Sequence, residues 1–229
     1  MLRPNAGPGV HQKVLELLGE ERRGRVLDAP AGEGALSKAL SDIGFTVSAL
    51  DINGRVFKAH GANIDFKTGD LNGAIEYPDS SFDYAICVEG IEHLENPHHL
   101  ARELARVLRP QGKLVVTTPN IASIASRIKF LLFGSYRYFN SRIDIADKSL
   151  RAHINPVGFP ELELILNETG FMVETITANN ARERTPFLLR PIAHILRWAN
   201  THFNRAYNEM LLHPALLFGD ILIIKARKA

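Results

Sequence analysis

Apolar positions along this chain switch repeatedly between two rhythms. In VHQKVLELLG (10–19) they fall three and four apart, which predicts a helix with one buried face, stopped at Gly19. RVLDA (25–29) predicts a short buried strand, and GALSKALSDIG (34–44) returns to helical spacing before Gly44. FTVSAL (45–50) predicts a second strand and IDFKTGD (64–70) a weaker third. FDYAICV (82–88) is apolar almost throughout, as a central parallel strand covered on both faces would be. A helix follows with Asn96 as N-cap, Pro97 in its first turn and a Leu100, Leu104, Val107, Leu108 stripe, ending at Pro110. GKLVVTTP (112–119) predicts a fifth strand, ELELILNETG (161–170) a helix, FMVETIT (171–177) a sixth strand and GDILIIKARK (219–228) a seventh.

Strands alternating with helices over the whole length predict an α/β fold with a doubly wound, mainly parallel sheet. Two segments exceed that pattern: 121–152, after the fifth strand, and 180–217, which reads as one or two helices between the last strands. Both are apolar and basic. The first carries six basic and two acidic residues, net +4; the second carries five and two, net +3. They read as insertions in a single domain spanning 1–229.

Composition narrows the setting without naming a partner. The chain of 229 residues is 45% hydrophobic and 23% charged, ordinary for a globular enzyme. A net charge of +2 declares no global attraction for nucleic acid. The single Cys87 excludes an internal disulfide and a multi-cysteine zinc site, which fits a reducing, cytoplasmic setting. No signal peptide or spanning run of ~18 apolar residues is expected.

The chemistry concentrates at strand ends. VLDAPAGEG (26–34) runs an apolar strand into Asp28 and a small-residue turn, and Asp51 closes the next strand. A Gly turn lets backbone approach a ligand, the following helix aims its N-terminus there, and an acid one strand over can accept both ribose hydroxyls. The Gly pattern is imperfect for a dinucleotide, since Ser37 stands where Gly or Ala is wanted. Asp28 could reach a ligand's amino group through the turn, which a pyrophosphate site would avoid. Together these features favour S-adenosylmethionine, which carries an ammonium and a sulfonium but no phosphate, over NAD. The competing readings make Asp28 and Asp51 helix caps. Gly69-Asp70-Leu71 follows the third strand, where Asp70 could read the adenine amino group while Leu71 and Ile52 sandwich the ring.

CVEGIEHLENP places Glu89, Glu92 and His93 after the fourth strand, at the carboxyl edge where open α/β sheets bind ligands. These could hold a divalent cation such as Mg2+, or His93 could act as a base; the alternative is a solvated first turn with His93 packed on the strand. His153, before the helix leading to strand six, is the leading candidate for general base or fourth ligand, against a structural histidine bonded to its loop. His98 and His99 read as solvated, Trp198 as core packing, and Cys87 as a small buried filler whose backbone lies near the methionine moiety.

At these residues the chain resembles the class I S-adenosylmethionine-dependent methyltransferases, in particular bacterial small-domain members with EVIEHLENP and TTPN motifs. Here those stretches stand as EGIEHLENP (89–97) and TTPN (117–120). The resemblance implies a Rossmann-like sheet of order 3-2-1-4-5-7-6 with strand seven antiparallel. It also implies that Asp28, Ala29 and Gly32 hold the methionine end of the cofactor, with Gly34 also cofactor-binding, Asp51 and Ile52 the ribose and adenine, and Asp70 and Leu71 the adenine edge. Cys87 and Val88 would lie beside the sulfonium. Pro30 departs from the family's first Gly and removes an N–H from the turn. A second resemblance matches Glu89, Glu92, His93 and His153 to the four metal ligands of 2′-O-methyltransferases acting on small-RNA 3′ ends; related quinone-biosynthesis O-methyltransferases carry a similar motif.

The reading is a methyltransferase that converts S-adenosylmethionine to S-adenosylhomocysteine while methylating an oxygen of a small or carrier-linked acceptor, lipid-glycan or quinone in type. The two insertions would form a substrate lid, and 180–217 offers a peripheral membrane contact or a dimer contact. Near-neutral charge and the apolar second insertion argue against RNA. The rivals are a metal-dependent RNA 2′-O-methyltransferase, an NAD-dependent oxidoreductase, and an inactive methyltransferase-fold binding subunit with Pro30 as its lesion.

Overall fold

A computed structural model describes residues 2–61, 63–139, 152–180, 191, 195, 198 and 213–229. In chain order its elements are α1 (Val10–Gly19), β1 (Arg25–Asp28), α2 (Ala35–Asp42), β2 (Thr46–Asp51), β3 (Ile64–Thr68) and β4 (Phe82–Cys87). A 3-10 turn (Ile91–His93) leads to α3 (Pro97–Val107), β5 (Leu108–Pro119), α4 (Ile124–Phe133), α5 (Phe159–Glu168), β6 (Phe171–Ala178), α6 (Pro214–Phe218) and β7 (Ile221–Lys228). The sheet order is β3-β2-β1-β4-β5-β7-β6. Strands β1 to β5 pair in parallel, and β7 runs antiparallel to both β5 and β6, as expected.

Alternation along the strands supplies two cores. Leu27, Ala85, Leu114, Val116 and Ile224 face a cluster with Leu100 and Leu104 of α3 and Leu162 and Ile165 of α5. Their neighbours Val26, Tyr84, Ile86, Val115 and Ile223 face the opposite cluster, with Val14 and Leu18 of α1 and Leu36 and Leu40 of α2. Neighbouring positions on one strand thus serve opposite layers, which is why these segments read as apolar throughout.

Element boundaries differ from expectation where backbone chemistry outranks periodicity. Helix α3 ends at Val107, and Leu108 already has extended backbone (φ −77°, ψ 141°) as the first residue of β5. Pro110 disfavours helical backbone at the residue before it, so the Leu108 end of the stripe belongs to the strand. Asn96 caps α3 as predicted, its side chain accepting the His99 N–H. Helix α5 begins two residues early, at Phe159, because Pro160 is a good first-turn residue. Within the first insertion, α4 is capped by Ser123, whose hydroxyl accepts the Ser126 N–H, and stops at left-handed Gly134. Residues 140–151 of that insertion, and all of the second up to 212 except 180, 191, 195 and 198, lie outside the described residues.

Candidate active site

The sheet order reverses between β1 and β4, leaving a crevice at the carboxyl edge. A cavity of about 670 Å³ fills it. Four strand ends contribute to its wall: Asp28 from β1, Asp51 and Ile52 from β2, Gly69 to Leu71 after β3, and Val88 and Glu89 after β4. Asp28 and Asp51 are each 1% exposed, yet both border this one space.

The turn after β1 is built from backbone hydrogen bonds that do without Pro30. The Ala31 N–H donates to Leu50 O at 2.9 Å and the Gly34 N–H to Ala31 O at 2.9 Å. The Gly32 N–H donates to Asp51 Oδ2 at 2.8 Å, while Asn53 N–H donates to Oδ1 at 2.9 Å. Asp51 therefore locks the glycine turn to its own strand end and orients its carboxylate before any ligand arrives. Gly34 has φ +86°, and a Cβ there would lie 2.4 Å from Ala59 Cβ, so only glycine lets α2 start at this spot.

Ser37, the residue that spoils the dinucleotide pattern, has its hydroxyl 2.5 Å from Asp28 Oδ2 and is fully buried. Burial raises Asp28 to about 7; the Ser37 hydroxyl opposes that rise and the nearby Asp51 charge adds to it. The site thus holds a carboxyl near neutrality that a bound cation would ionise.

Most of the expected cofactor residues meet at the cavity: Asp28, Gly32, Asp51, Ile52, Asp70, Leu71 and Val88 line it. Ile52 is 57% exposed and Leu71 6%, so one apolar wall is a surface side chain and the other part of the core. Ala29, Gly34 and Cys87 lie behind the wall rather than in it. Ala29 and Cys87 are fully buried core residues, and burial pushes the Cys87 thiol up.

Glu92, His93 and His153 come together, with one ligand atom from each lying within 4.8 Å of the others. The His93 and His153 rings meet edge to face at 4.7 Å between centroids. His93 Nδ1 is 3.1 Å from Ala152 O, tying the turn after β4 to the segment before α5. Glu92 is fully buried, not the solvated first-turn residue that was the alternative, and neither of its side-chain oxygens has a hydrogen-bond partner. Burial raises it to about 8, with Glu89 adding to the rise; Thr118 favours its charged form from just outside hydrogen-bond geometry. His153 Nδ1 is buried and likewise without a partner, and burial with the neighbouring His93 lowers its pKa.

Glu89 does not join these three. At φ +44°, its N–H donates to Thr117 Oγ1 at 2.9 Å and its carboxylate accepts the Gly7 N–H at 2.6 Å. The N-terminal segment is thereby strapped across the site. A second cavity of about 320 Å³ lies there, lined by Asn5, Gly7, Glu89, His93, Tyr138 and His153 among others.

Sequence reasoning missed the N-terminal contributors. Asn5 lines both cavities and His11, on α1, lines the larger one, with its pKa lowered by burial. The turn-rich PNAGPG run was the available signal, but its position over the site depends on the Gly7–Glu89 bond. Asn72, Gly90 and Leu94 also line the cavity. His99, read as solvated, has Nε2 3.0 Å from Gly73 O, and Trp198, read as core, is 56% exposed.

A family model described as a methyltransferase domain matches residues 6–176. The chain belongs to this methyltransferase family and has the class I fold that its motifs resemble. Among curated relatives, it is 33% identical over 103 residues to a ubiquinone biosynthesis O-methyltransferase of Xanthomonas oryzae pv. oryzae, covering 42% of this chain and 43% of the relative. It is 37% identical over 106 residues to a demethylmenaquinone methyltransferase of Renibacterium salmoninarum, covering 45% and 44% respectively. These matches span less than half the length of those relatives. Among solved structures, a putative methyltransferase from Bacillus halodurans superposes with a TM-score of 0.63 at 17% identity, covering 96% of this chain and 98% of that one. An S-adenosylmethionine-dependent methyltransferase from Mesorhizobium loti gives 0.61 at 17% identity, covering 96% and 99%. The oxidoreductase reading gives way to this family match.

Proposed function

We propose that this protein transfers a methyl group from S-adenosylmethionine to a hydroxyl oxygen of a small, quinone-type acceptor. The observation that carries the reading is the single cavity bordered by Asp28 and Asp51 from adjacent strand ends. Asp28 would meet the ammonium and Asp51 the ribose diol, with Ile52 and Leu71 on either face of the adenine, Asp70 at its edge, and Val88 and the Cys87 backbone beside the sulfonium. The lining suits such a ligand: Asp28, Asp51 and Asp70 bring acids, Gly32 brings backbone, and Ile52, Leu71 and Val88 bring apolar surface.

The bound cofactor supplies a methyl carbon already activated by the positive sulfur, which keeps the bonding electron pair as the acceptor oxygen attacks. The protein therefore has chiefly to align the two and exclude water. His153, with His93 second, would take the acceptor's proton. Both border the smaller cavity, which shares Asn5, Glu89 and His93 with the lining of the larger one. The insertions 121–152 and 180–217 would cover the acceptor. The quinone class draws on the names of the relatives from Xanthomonas oryzae and Renibacterium salmoninarum.

A second mechanistic reading has its own observation. Glu92 and His153 offer buried ligand atoms without partners, converging with His93. Two imidazoles and one carboxylate suit Mn2+ or Zn2+ better than Mg2+, which prefers oxygen. A cation held there would lower the pKa of an acceptor hydroxyl.

Calorimetry with S-adenosylhomocysteine tests the cofactor reading, and micromolar affinity is expected. Complete failure to bind it would leave the inactive-scaffold alternative standing. Turnover of a short-chain demethylated quinol, with and without prior chelation, tests acceptor and metal together.

A further inference from the structure

The wall of the larger cavity is acidic, which suits only part of the ligand proposed for it. Asp28, Asp51, Asp70 and Glu89 border the space, and no Lys or Arg does among the described residues. The amino-acid end of S-adenosylmethionine carries a carboxylate beside its ammonium. Asp28 attracts the ammonium and repels the carboxylate, which therefore needs hydrogen-bond donors of its own.

The glycine turn does not supply them. Of its residues on the wall, Pro30 has no N–H, the Ala31 N–H is spent on Leu50 O, and the Gly32 N–H is spent on Asp51. The Ser37 hydroxyl is committed to Asp28. Asn53 and Asn72 follow β2 and β3, on the ribose and adenine side, and Asn72 Nδ2 already meets Asp70 Oδ1 at 3.1 Å.

The N-terminal segment brings two donors that nothing else engages. Asn5 and His11 line the cavity, and neither side chain has a hydrogen-bond partner among the described residues. The Asn5 amide nitrogen stands 2.8 Å from where a Cβ on Gly32 would lie, so glycine at that position lets the amide sit directly over the turn. Its place is fixed from both sides. The Arg3 N–H donates to Glu33 Oε2 at 3.2 Å, the Gly7 N–H to Glu89 Oε2 at 2.6 Å, and Asn179 Nδ2 to Pro8 O at 3.0 Å. His11 stands in the first turn of α1, whose Val10 and Val14 pack in one cluster with Leu36 and Val88 of the cavity wall. Burial lowers the His11 pKa, so the free protein offers a neutral imidazole N–H there.

We propose that Asn5 and His11 bind the carboxylate of the cofactor's amino-acid end, which makes the segment from Arg3 to α1 part of the cofactor site. The assignment rests on the cofactor reading above and goes beyond it. Asp28 recognises the ammonium, the N-terminal segment recognises the carboxylate, and together they require an intact amino acid.

Calorimetry on the full chain tests it with two ligands, S-adenosylhomocysteine and its decarboxylated analogue, in which an aminopropyl group replaces the amino acid. Asn5 is exposed, so its substitution leaves the fold intact. Asn5→Ala and His11→Ala should each weaken S-adenosylhomocysteine about tenfold, while affinity for the analogue, which keeps the ammonium, stays within about twofold. Asn5→Asp should weaken S-adenosylhomocysteine further and tighten the amine. The assignment of either residue falls if its alanine variant binds S-adenosylhomocysteine like the wild type. It falls equally if that variant loses affinity for both ligands alike, since the side chain would then only shape the cavity. A wild type that binds neither ligand overturns the cofactor reading and this assignment with it; normal binding of S-adenosylhomocysteine by wild type and variants overturns this assignment alone.

Discussion

The carboxyl edge of the sheet is built by opposite rules on its two sides. On the β1–β2 side the connections are short and closed on themselves. Asp51 accepts two backbone N–H groups, Ser37 is bonded to Asp28, and Gly34 fits where no Cβ would. On the β5–β7 side helix α4 turns Ile128, Leu131 and Leu132 outward, and the buried Asn120 side chain ties the start of that segment to α6 and Gly219. The first side is preorganised for one ligand, with its geometry set by backbone. The second exposes an apolar helix face and is held to the sheet by side-chain hydrogen bonds.

The largest predicted effect falls on the rigid side. Gly34→Val should cost about 4 kcal/mol, combining left-handed backbone for a branched residue with a clash against Ala59 and Phe57. Denaturant midpoints measure it, and a near-wild-type midpoint would show that this turn can relax, erasing the contrast with the other side. Asp51→Ala should weaken S-adenosylhomocysteine about a hundredfold, or roughly 2.7 kcal/mol. It removes the proposed diol acceptor and strands the Gly32 and Asn53 amides. Undiminished calorimetric affinity would refute the ribose assignment.

The pinned rim should respond differently. Asn120→Ala leaves three carbonyls without their donor, and should lower stability by about 2 kcal/mol. Affinity for S-adenosylhomocysteine should stay within twofold, because Asn120 does not border the larger cavity. A large loss of affinity would mean the two sides are mechanically coupled.

The same division governs what could be read from sequence. The strands themselves, the Asn96 cap and the pairing of Asp28 with Asp51 were legible because each follows from local rules: apolar runs, a capping residue, an acid at a strand end; the strand order came from the family resemblance alone. Glu92, His93 and His153 could be grouped by type, but not the burial of Glu92, which depends on α5 and its preceding segment folding over the turn. That contact is made by the Ile154 and Asn155 N–H groups donating to Glu92 O at 2.9 and 3.0 Å. Asn5 and His11 were invisible for the same reason, since their place over the cavity rests on contacts 80 residues apart in the chain, such as Gly7 to Glu89 (separation 82). The outward face of α4 was missed because 121–152 reads only as an apolar, basic insertion, with four consecutive apolar residues at 130–133 and no one-faced periodicity. Only the packing shows which way the face points.

The smallest effect probes the rigid side most finely. Asp28, raised to about 7 by burial, is largely protonated in the free protein at pH 6 and largely ionised at pH 8. Pairing with the ligand's ammonium requires the ionised form, so binding below pH 7 must release a proton. The sign follows: affinity for S-adenosylhomocysteine should rise with pH, by up to tenfold per unit below 7, about 1.4 kcal/mol, and flatten above it. Calorimetry in buffers of different ionisation enthalpy should count close to one proton released at pH 6 and few at pH 8. Asp28→Asn, which retains a partner for the Ser37 hydroxyl, should bind more weakly and lose the pH dependence. If the wild type releases no proton at pH 6, Asp28 does not meet the ammonium, and its buried carboxyl serves only to hold Ser37 and the start of α2.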